Sequence, residues 1–307
     1  MKTAKILSFA LFAMLFAAGC RGVEGEDPDN NGGNGGNNGG NGGNSQSSYV
    51  EDPQPGNTAF VHRSLLVDIT GIWCPNCPWM TVSMKQLEDD PAWSKRLVMA
   101  ALHSGDDELR PSGISTASIQ GAFEVEGYPT MNIDFRNTFA NMSSGSAPNN
   151  NVNYIKSNVE QYHGTAAKAG ISARVERVAN KIKVFASVKA AETGRYNLGA
   201  WVVEDGVKAN QKQANSTGLT GDFDTHNHVV RIMDSKVSNL DYTGHSLGSI
   251  EKGQTVNREF SWEIPDNWDR TNCSVILFVT TPGSNGRNYV TNAVRFSAGN
   301  HPFEYEK

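Results

Sequence analysis

The stretch from Leu65 to Pro78 constrains this chain of 307 residues more than any other. It opens with a nearly continuous apolar run, Leu65–Ile69, which is typical of a strand buried on both faces. A turn follows, and then Cys74 and Cys77 are separated by two residues. After Pro78, the residues Met80, Met84 and Leu87 recur at the spacing of one stripe of an amphipathic helix. The sequence therefore predicts a buried strand, a turn, and a Cys-x-x-Cys pair that opens a helix.

The position of the pair favours thiol–disulfide chemistry, which requires a thiolate. Unpaired N–H groups and the positive end of the macrodipole favour an anion at a helix N-terminus. We expect Cys74, at the exposed mouth of the turn, to attack, and Cys77, one turn deeper, to resolve the mixed disulfide. Pro75 and Pro78 fall within the predicted first turn, where a missing N–H has little cost.

One carboxylate, Asp68, interrupts the apolar strand. A buried carboxylate is unfavourable unless it has a partner or a chemical task. The order of Asp68, the Cys-x-x-Cys pair and the later Gly127–Thr130 turn resembles that of thioredoxin-like oxidoreductases. The resemblance implies a catalytic set of Cys74, Cys77, Asp68 and Pro129. In that set, Asp68 exchanges a proton with the resolving cysteine, and a cis peptide bond precedes Pro129.

The same resemblance implies where a substrate chain binds. In such proteins the backbone beside the cis-proline pairs with the substrate, so Tyr128 and Thr130 are expected to contact it. Trp73, Pro75 and Asn76 surround the pair and complete the expected substrate-binding set. The expected partners are thiols or disulfides of exported proteins, and no cofactor is expected.

The first 48 residues are predicted to export and tether the protein. Residues 1–19 have a basic start and a short apolar core, which are typical of a signal peptide. The sequence around Cys20 resembles a bacterial lipobox, which implies lipid attachment at Cys20 and a lipoprotein anchored in the membrane. An ordinary secretory signal is the alternative. Residues 20–48 are Asn/Gly-rich and are predicted to form a disordered tether.

Two domains are predicted after the tether. Residues 49–164 follow the thioredoxin order of strands and helices, so an α/β thioredoxin-like domain is expected there. Residues 165–307 contain seven short apolar runs separated by turn residues, which favour an all-β immunoglobulin-like sandwich. The polar segment 208–224 is a candidate surface for a binding partner.

The chain also resembles the Omp28-related outer-membrane lipoproteins. The residues that carry this resemblance are 70–78, 127–130 and 226–231. It implies a place in the cell envelope, facing the periplasm or the cell surface. Because members are described as surface lipoproteins or adhesins, a second hypothesis remains. The chain would then be a binding module in which Cys74–Cys77 is a structural disulfide.

Other chemistries have less support in the sequence. A zinc site at the pair would need further ligands, and the candidates Cys273, His226 and His228 lie in the second predicted domain. We predict no metal, and we expect Cys273 to be a buried, inert thiol. A net charge of −5 disfavours a nucleic-acid partner. The direction of the redox reaction and the oligomeric state are left open.

Overall fold

The computed structural model describes residues 48–112, 116–140, 146–163, 166–213, 218–234 and 242–307. The predicted signal peptide, Cys20 and all but the last residue of the predicted tether lie outside these ranges. The α-helices of the described part are α1 (Cys77–Asp89), α2 (Thr116–Ala122) and α3 (Ala147–His163), and a short 3₁₀ helix spans Ser94–Arg96. Within the same ranges, no helix is long and apolar enough to cross a bilayer.

The described part of the chain is mostly β. In chain order its strands are β1 (Ser64–Thr70), β2 (Leu97–His103), β3 (Thr130–Ile133), β4 (Asn137–Ala140), β5 (Ala169–Val178), β6 (Lys181–Ala190), β7 (Gly194–Glu204), β8 (Val207–Lys208), β9 (Thr225–His226), β10 (Val229–Met233), β11 (His245–Ile250), β12 (Thr255–Glu263), β13 (Cys273–Pro282), β14 (Asn288–Phe296) and β15 (Gly299–His301). The seven apolar runs predicted as strands after residue 165 are all strands.

Nine strands form one mixed sheet. Eight follow the order β14-β13-β7-β10-β2-β1-β3-β4, and β11 also pairs with β7. Strands β1 and β2 run parallel, and β3 pairs antiparallel with the other side of β1. Strand β10 joins β2 where Val229 pairs with Ala101, whose N–H donates to the His228 carbonyl oxygen at 2.8 Å. The sheet therefore includes strands from both predicted domains.

The prediction of an α/β thioredoxin-like domain followed by a separate immunoglobulin-like sandwich is wrong. Strands β1–β4 are not the sheet of an independent α/β domain, because they continue through β10 into β7 and β13. A second sheet, in the order β12-β6-β5-β15, packs on part of the first and makes that region sandwich-like. Local apolar patterns identify the strands, but they do not contain the long-range pairing of β10 with β2.

One face of the nine-stranded sheet is covered by two different layers. Over β1–β3, helices α1 and α3 bury the predicted helical stripe, with contacts among Leu66, Met80, Leu87, Ile155 and Val159. Over β7 and β13, the same face packs on the four-stranded sheet. Helix α1 is therefore fixed on the sheet by its apolar stripe, as the sequence predicts.

The opposite face of the sheet encloses a second core. Here Val67 and Ile69 of β1 share a cluster with Trp201 and Phe278 of the second half. Strand β14, at one end of the strand order, also contacts the segment that follows β3 near the other end. There the Val290 N–H donates to the Asp134 carbonyl oxygen at 3.0 Å. The sheet curls around this core, and both halves of the chain hold β1 in place.

Candidate active site

Cys74 and Cys77 form a disulfide at the N-terminus of α1, and their Cα atoms lie 5.5 Å apart. The helix begins at Cys77, so Pro78 lies in its first turn whereas Pro75 precedes it. The first turn of α1, all of which is described, contains no acidic residue. The positive end of this helix therefore faces the pair without a negative side chain in that turn.

Both sulfur-bearing residues are buried, with 2% of Cys74 and 1% of Cys77 exposed. The prediction places Cys74 at an exposed mouth, and the structure differs because neighbouring groups pack around the turn. The preceding residue, Trp73, is exposed instead, at 43%. Its ring packs edge-on against Tyr128, with ring centroids 4.9 Å apart. A Cβ at Gly71 would lie 2.6 Å from Trp73 Nε1, so glycine is required for this placement.

The Pro129 turn lies beside the end of β1. The Tyr128–Pro129 peptide bond is cis. Thr130 pairs with Ile69 in the β1–β3 ladder, which places Pro129 next to Thr70. Since the turn that carries the cysteines starts directly after Thr70, the sheet register brings the two predicted motifs together.

Asp68 lies on the face of β1 that α1 covers, between Ala101 of β2 and Met131 of β3. Its side chain is buried, and among the described residues none donates a hydrogen bond to its Oδ1. Burial raises the pKa of Asp68 to about 8, because the charged form loses its hydration. At neutral pH this carboxyl group is therefore mainly protonated and able to exchange a proton.

A cavity of about 110 Å³ connects Asp68 with α1 and with the second half of the chain. Thr81 and Met84, one and two turns after Cys77, line its helical side. Most of its remaining lining is polar and includes His103, Gln211, His226 and His228. The buried acid thus lies beneath the helix that begins with Cys77 and opens onto polar groups from distant segments.

The histidines in this lining are held by hydrogen bonds. His103 Nδ1 lies 2.7 Å from Asp106 Oδ2, and the same oxygen accepts the Ile72 N–H at 2.9 Å. The rings of His103 and His226 meet edge to face at 5.2 Å. Burial, with a contribution from His103, lowers the pKa of His226. His228 Nε2 lies 2.8 Å from Glu88 Oε1, and this hydrogen bond holds the pKa of Glu88 below its usual range.

The described residues contain no group of His, Cys, Asp and Glu side chains arranged to hold a metal ion. Cys273 is buried, and burial raises the pKa of its thiol to about 12. Its Sγ lies 3.4 Å from the Asp269 carbonyl oxygen. This cysteine is an inert core residue far along the chain from the pair.

The sequence does not predict that part of the polar segment 208–224 reaches the Cys74 turn. The Lys212 N–H donates to the Ile72 carbonyl oxygen at 2.7 Å, and the Gln211 amide nitrogen lies 2.9 Å from the Cys74 carbonyl oxygen. A glutamine in a polar stretch carries no periodic signal, so only the three-dimensional structure reveals these contacts. Residues 214–217 of the segment lie outside the described ranges.

The model of the outer membrane protein Omp28 family matches residues 116–299, which is more than half of the chain. The chain belongs to the Omp28 family. Family membership locates this protein in the cell envelope, at the outer membrane. The matched region begins after the Cys74–Cys77 turn, so membership does not by itself assign a role to the pair.

Two solved structures are similar to this Omp28-family protein. HBP35 of Porphyromonas gingivalis has a TM-score of 0.60 and 19% sequence identity, over 78% of this chain and 76% of HBP35. A protein from Agrobacterium tumefaciens has a TM-score of 0.48 and 10% identity, over 79% of this chain and 97% of the other. No curated protein sequence matches the chain significantly. At these identities the likeness to HBP35 concerns the fold alone.

Proposed function

We propose that this Omp28-family protein is a thiol–disulfide oxidoreductase of the cell envelope. The observation that carries the proposal is the meeting of three features at one end of β1. The Cys74–Cys77 disulfide opens α1, the Pro129 turn lies beside the same strand end, and Asp68 lies buried under α1. This local arrangement resembles the active site of thioredoxin-like oxidoreductases, although the surrounding sheet is different.

The arrangement supports a two-step exchange. In the reductive direction, the Cys74 thiolate attacks a substrate disulfide, forms a mixed disulfide and releases one substrate thiolate. Cys77 then attacks the Cys74 sulfur, which releases the second substrate thiolate and gives the disulfide seen in the structure. The fraction of Asp68 that is deprotonated at neutral pH accepts the proton that Cys77 loses. In the oxidative direction the same steps run in reverse, and the reduction potential sets which direction dominates.

Substrate thiols or disulfides of exported proteins would approach past the exposed groups around the pair. Trp73 and Asn76 are exposed and Pro75 is half-buried, so these side chains offer a contact surface. Tyr128 supports the Trp73 ring, while Thr130 is buried between β1 and β4 and holds the proline turn in place. We place the protein at the membrane through a lipid on Cys20, which lies outside the described residues.

The protein is expected to catalyse the reduction of insulin by dithiothreitol at least about tenfold faster than dithiothreitol alone. The reason is that Cys74 offers a thiolate stabilised by the helix end, which the free reagent lacks. Precipitation of the released insulin chains measures the rate. A Cys273→Ser variant serves as the matched control and should retain the full rate. A rate equal to that of dithiothreitol alone would contradict the proposal.

A second candidate is a surface binding module in which the disulfide is structural. The burial of both cysteines favours it, because an inaccessible disulfide is protected from exchange. It predicts no insulin turnover, and it predicts that a Cys74→Ser/Cys77→Ser double variant binds its partner as the wild type does.

A further inference from the structure

We infer that Gln211, from the second half of the chain, is a positioning residue for the Cys74–Cys77 pair. The inference rests on the proposed redox function and gives Gln211, within the polar segment 208–224, a role at the pair instead of at a binding surface. The amide nitrogen of Gln211 lies 2.9 Å from the Cys74 carbonyl oxygen. It also lies 3.2 Å from the Ile72 and 3.3 Å from the Gly71 carbonyl oxygens.

The chemistry of these neighbours fixes the orientation of the amide. A fourth carbonyl oxygen, that of Lys212, lies 3.0 Å from the same nitrogen. All four oxygens are acceptors, so the NH₂ group, not the amide oxygen, faces the turn. Only 9% of Gln211 is exposed, so these hydrogen bonds are shielded from bulk water. Its two N–H donors are shared among these carbonyl oxygens, three of which belong to the turn that leads to Cys77.

The segment that carries Gln211 is itself anchored. The Gln211 N–H donates to Asp224 Oδ1 at 2.8 Å, and the Ala209 N–H donates to the Asp224 carbonyl oxygen at 3.0 Å. On the other side, the Lys212 N–H donates to the Ile72 carbonyl oxygen at 2.7 Å. Because its backbone is held on both sides, the Gln211 side chain is a fixed support. It also lines the cavity that contains Asp68 and so lies between that cavity and Cys74.

This support has a direct consequence for the redox equilibrium. One disulfide and two glutathione thiols exchange to give the Cys74–Cys77 dithiol and one glutathione disulfide. The disulfide form is favoured when the turn holds the two cysteine thiols close together, since proximity raises their effective concentration. Removing the Gln211 amide frees the Gly71–Cys74 backbone and lowers that concentration. The equilibrium then moves towards the dithiol.

The test compares the full-length wild type with Gln211→Met, Gln211→Asn and the matched control Gln213→Leu, which changes an exposed residue two positions away. Each protein is equilibrated in glutathione buffers, its free thiols are alkylated, and mass spectrometry measures the dithiol fraction. For both Gln211 variants we expect a shift of about tenfold towards the dithiol, which corresponds to about 30 mV. The control is expected to stay within about twofold of the wild type.

Gln211→Asn keeps the segment polar and withdraws the amide by one methylene, so it provides an independent reading if Gln211→Met does not fold. Unchanged equilibria in the Gln211 variants, a shift towards the disulfide, or an equal shift in Gln213→Leu would overturn the inference. A failure of the proposed function is distinguishable from a failure of this inference. If the wild-type pair has the potential of a structural disulfide while Gln211 variants still shift it, Gln211 positions a disulfide that is not catalytic.

Discussion

A Cys77→Ser variant is expected to accumulate a mixed disulfide between Cys74 and a substrate protein, and to lose insulin turnover by about 1,000-fold or more. The serine cannot attack the Cys74 sulfur, so the reaction stops after its first step. Electrophoresis without reductant, followed by mass spectrometry of the adduct, measures both the yield and the attachment site.

Two variants control this experiment. Cys74→Ser is expected to lose turnover equally but to trap no adduct, because it lacks the attacking sulfur. Cys273→Ser is expected to behave as the wild type, because its thiol is buried and burial raises its pKa to about 12. Adducts of equal yield in Cys74→Ser and Cys77→Ser would show that the roles of the two cysteines are assigned incorrectly. The absence of adducts in Cys77→Ser would argue against exchange at this pair.

Replacing Asp68 by asparagine is expected to make the fold more stable at neutral pH and the redox reaction slower. Burial raises the pKa of this carboxyl group from 3.8 to about 8. Between these values the folded protein holds a proton that the unfolded chain releases, so stability falls as the pH rises through this window. At pH 7 the cost is roughly 4 kcal/mol as an upper bound. The asparagine side chain is neutral in both the folded and the unfolded state, so the substitution removes this dependence.

The functional part of the same prediction follows from proton transfer. Without Asp68 the proton of Cys77 loses the carboxylate that accepts it, and we expect the intramolecular resolving step to slow by about 100-fold. Rapid-mixing measurements of tryptophan fluorescence during reoxidation follow this step, and denaturant unfolding at pH 5 and pH 8 gives the stabilities. The expected signature is a slower rate together with a flatter pH dependence of stability.

Asp134→Asn is the matched control for Asp68→Asn. Burial also raises the pKa of Asp134, to about 7, but its Oδ1 accepts the Leu65 N–H at 2.7 Å, at the opposite end of β1. Its role is structural, so its replacement is expected to leave the resolving rate unchanged. Wild-type kinetics in Asp68→Asn, or equal slowing in both variants, would remove Asp68 from the proposed mechanism.

The sequence predicts the parts of this site that depend on local pattern. The buried strand β1, the helix that begins at Cys77 and the strand after Pro129 all have apolar periods or turn residues that indicate them. The burial of Cys74 is not predictable in this way, because Trp73, Tyr128 and Gln211 come together only through the fold.

The pairing of Val229 with Ala101 shows why the predicted domain architecture is wrong. This one pair joins β10 to β2 and makes a single sheet of strands that local patterns assign to two separate folds. The contact of His103 with His226 depends on the same junction. No spacing within either segment encodes these contacts, since they form between residues that are distant along the chain.

The reduction potential of the Cys74–Cys77 pair in the full-length protein tests the central claim most directly. Equilibration with graded glutathione and dithiothreitol buffers, followed by alkylation and mass spectrometry, gives this value. A catalytic pair is expected to lie between about −270 and −120 mV, the range of known oxidoreductases. A value below about −300 mV, typical of structural disulfides, would contradict the proposed function.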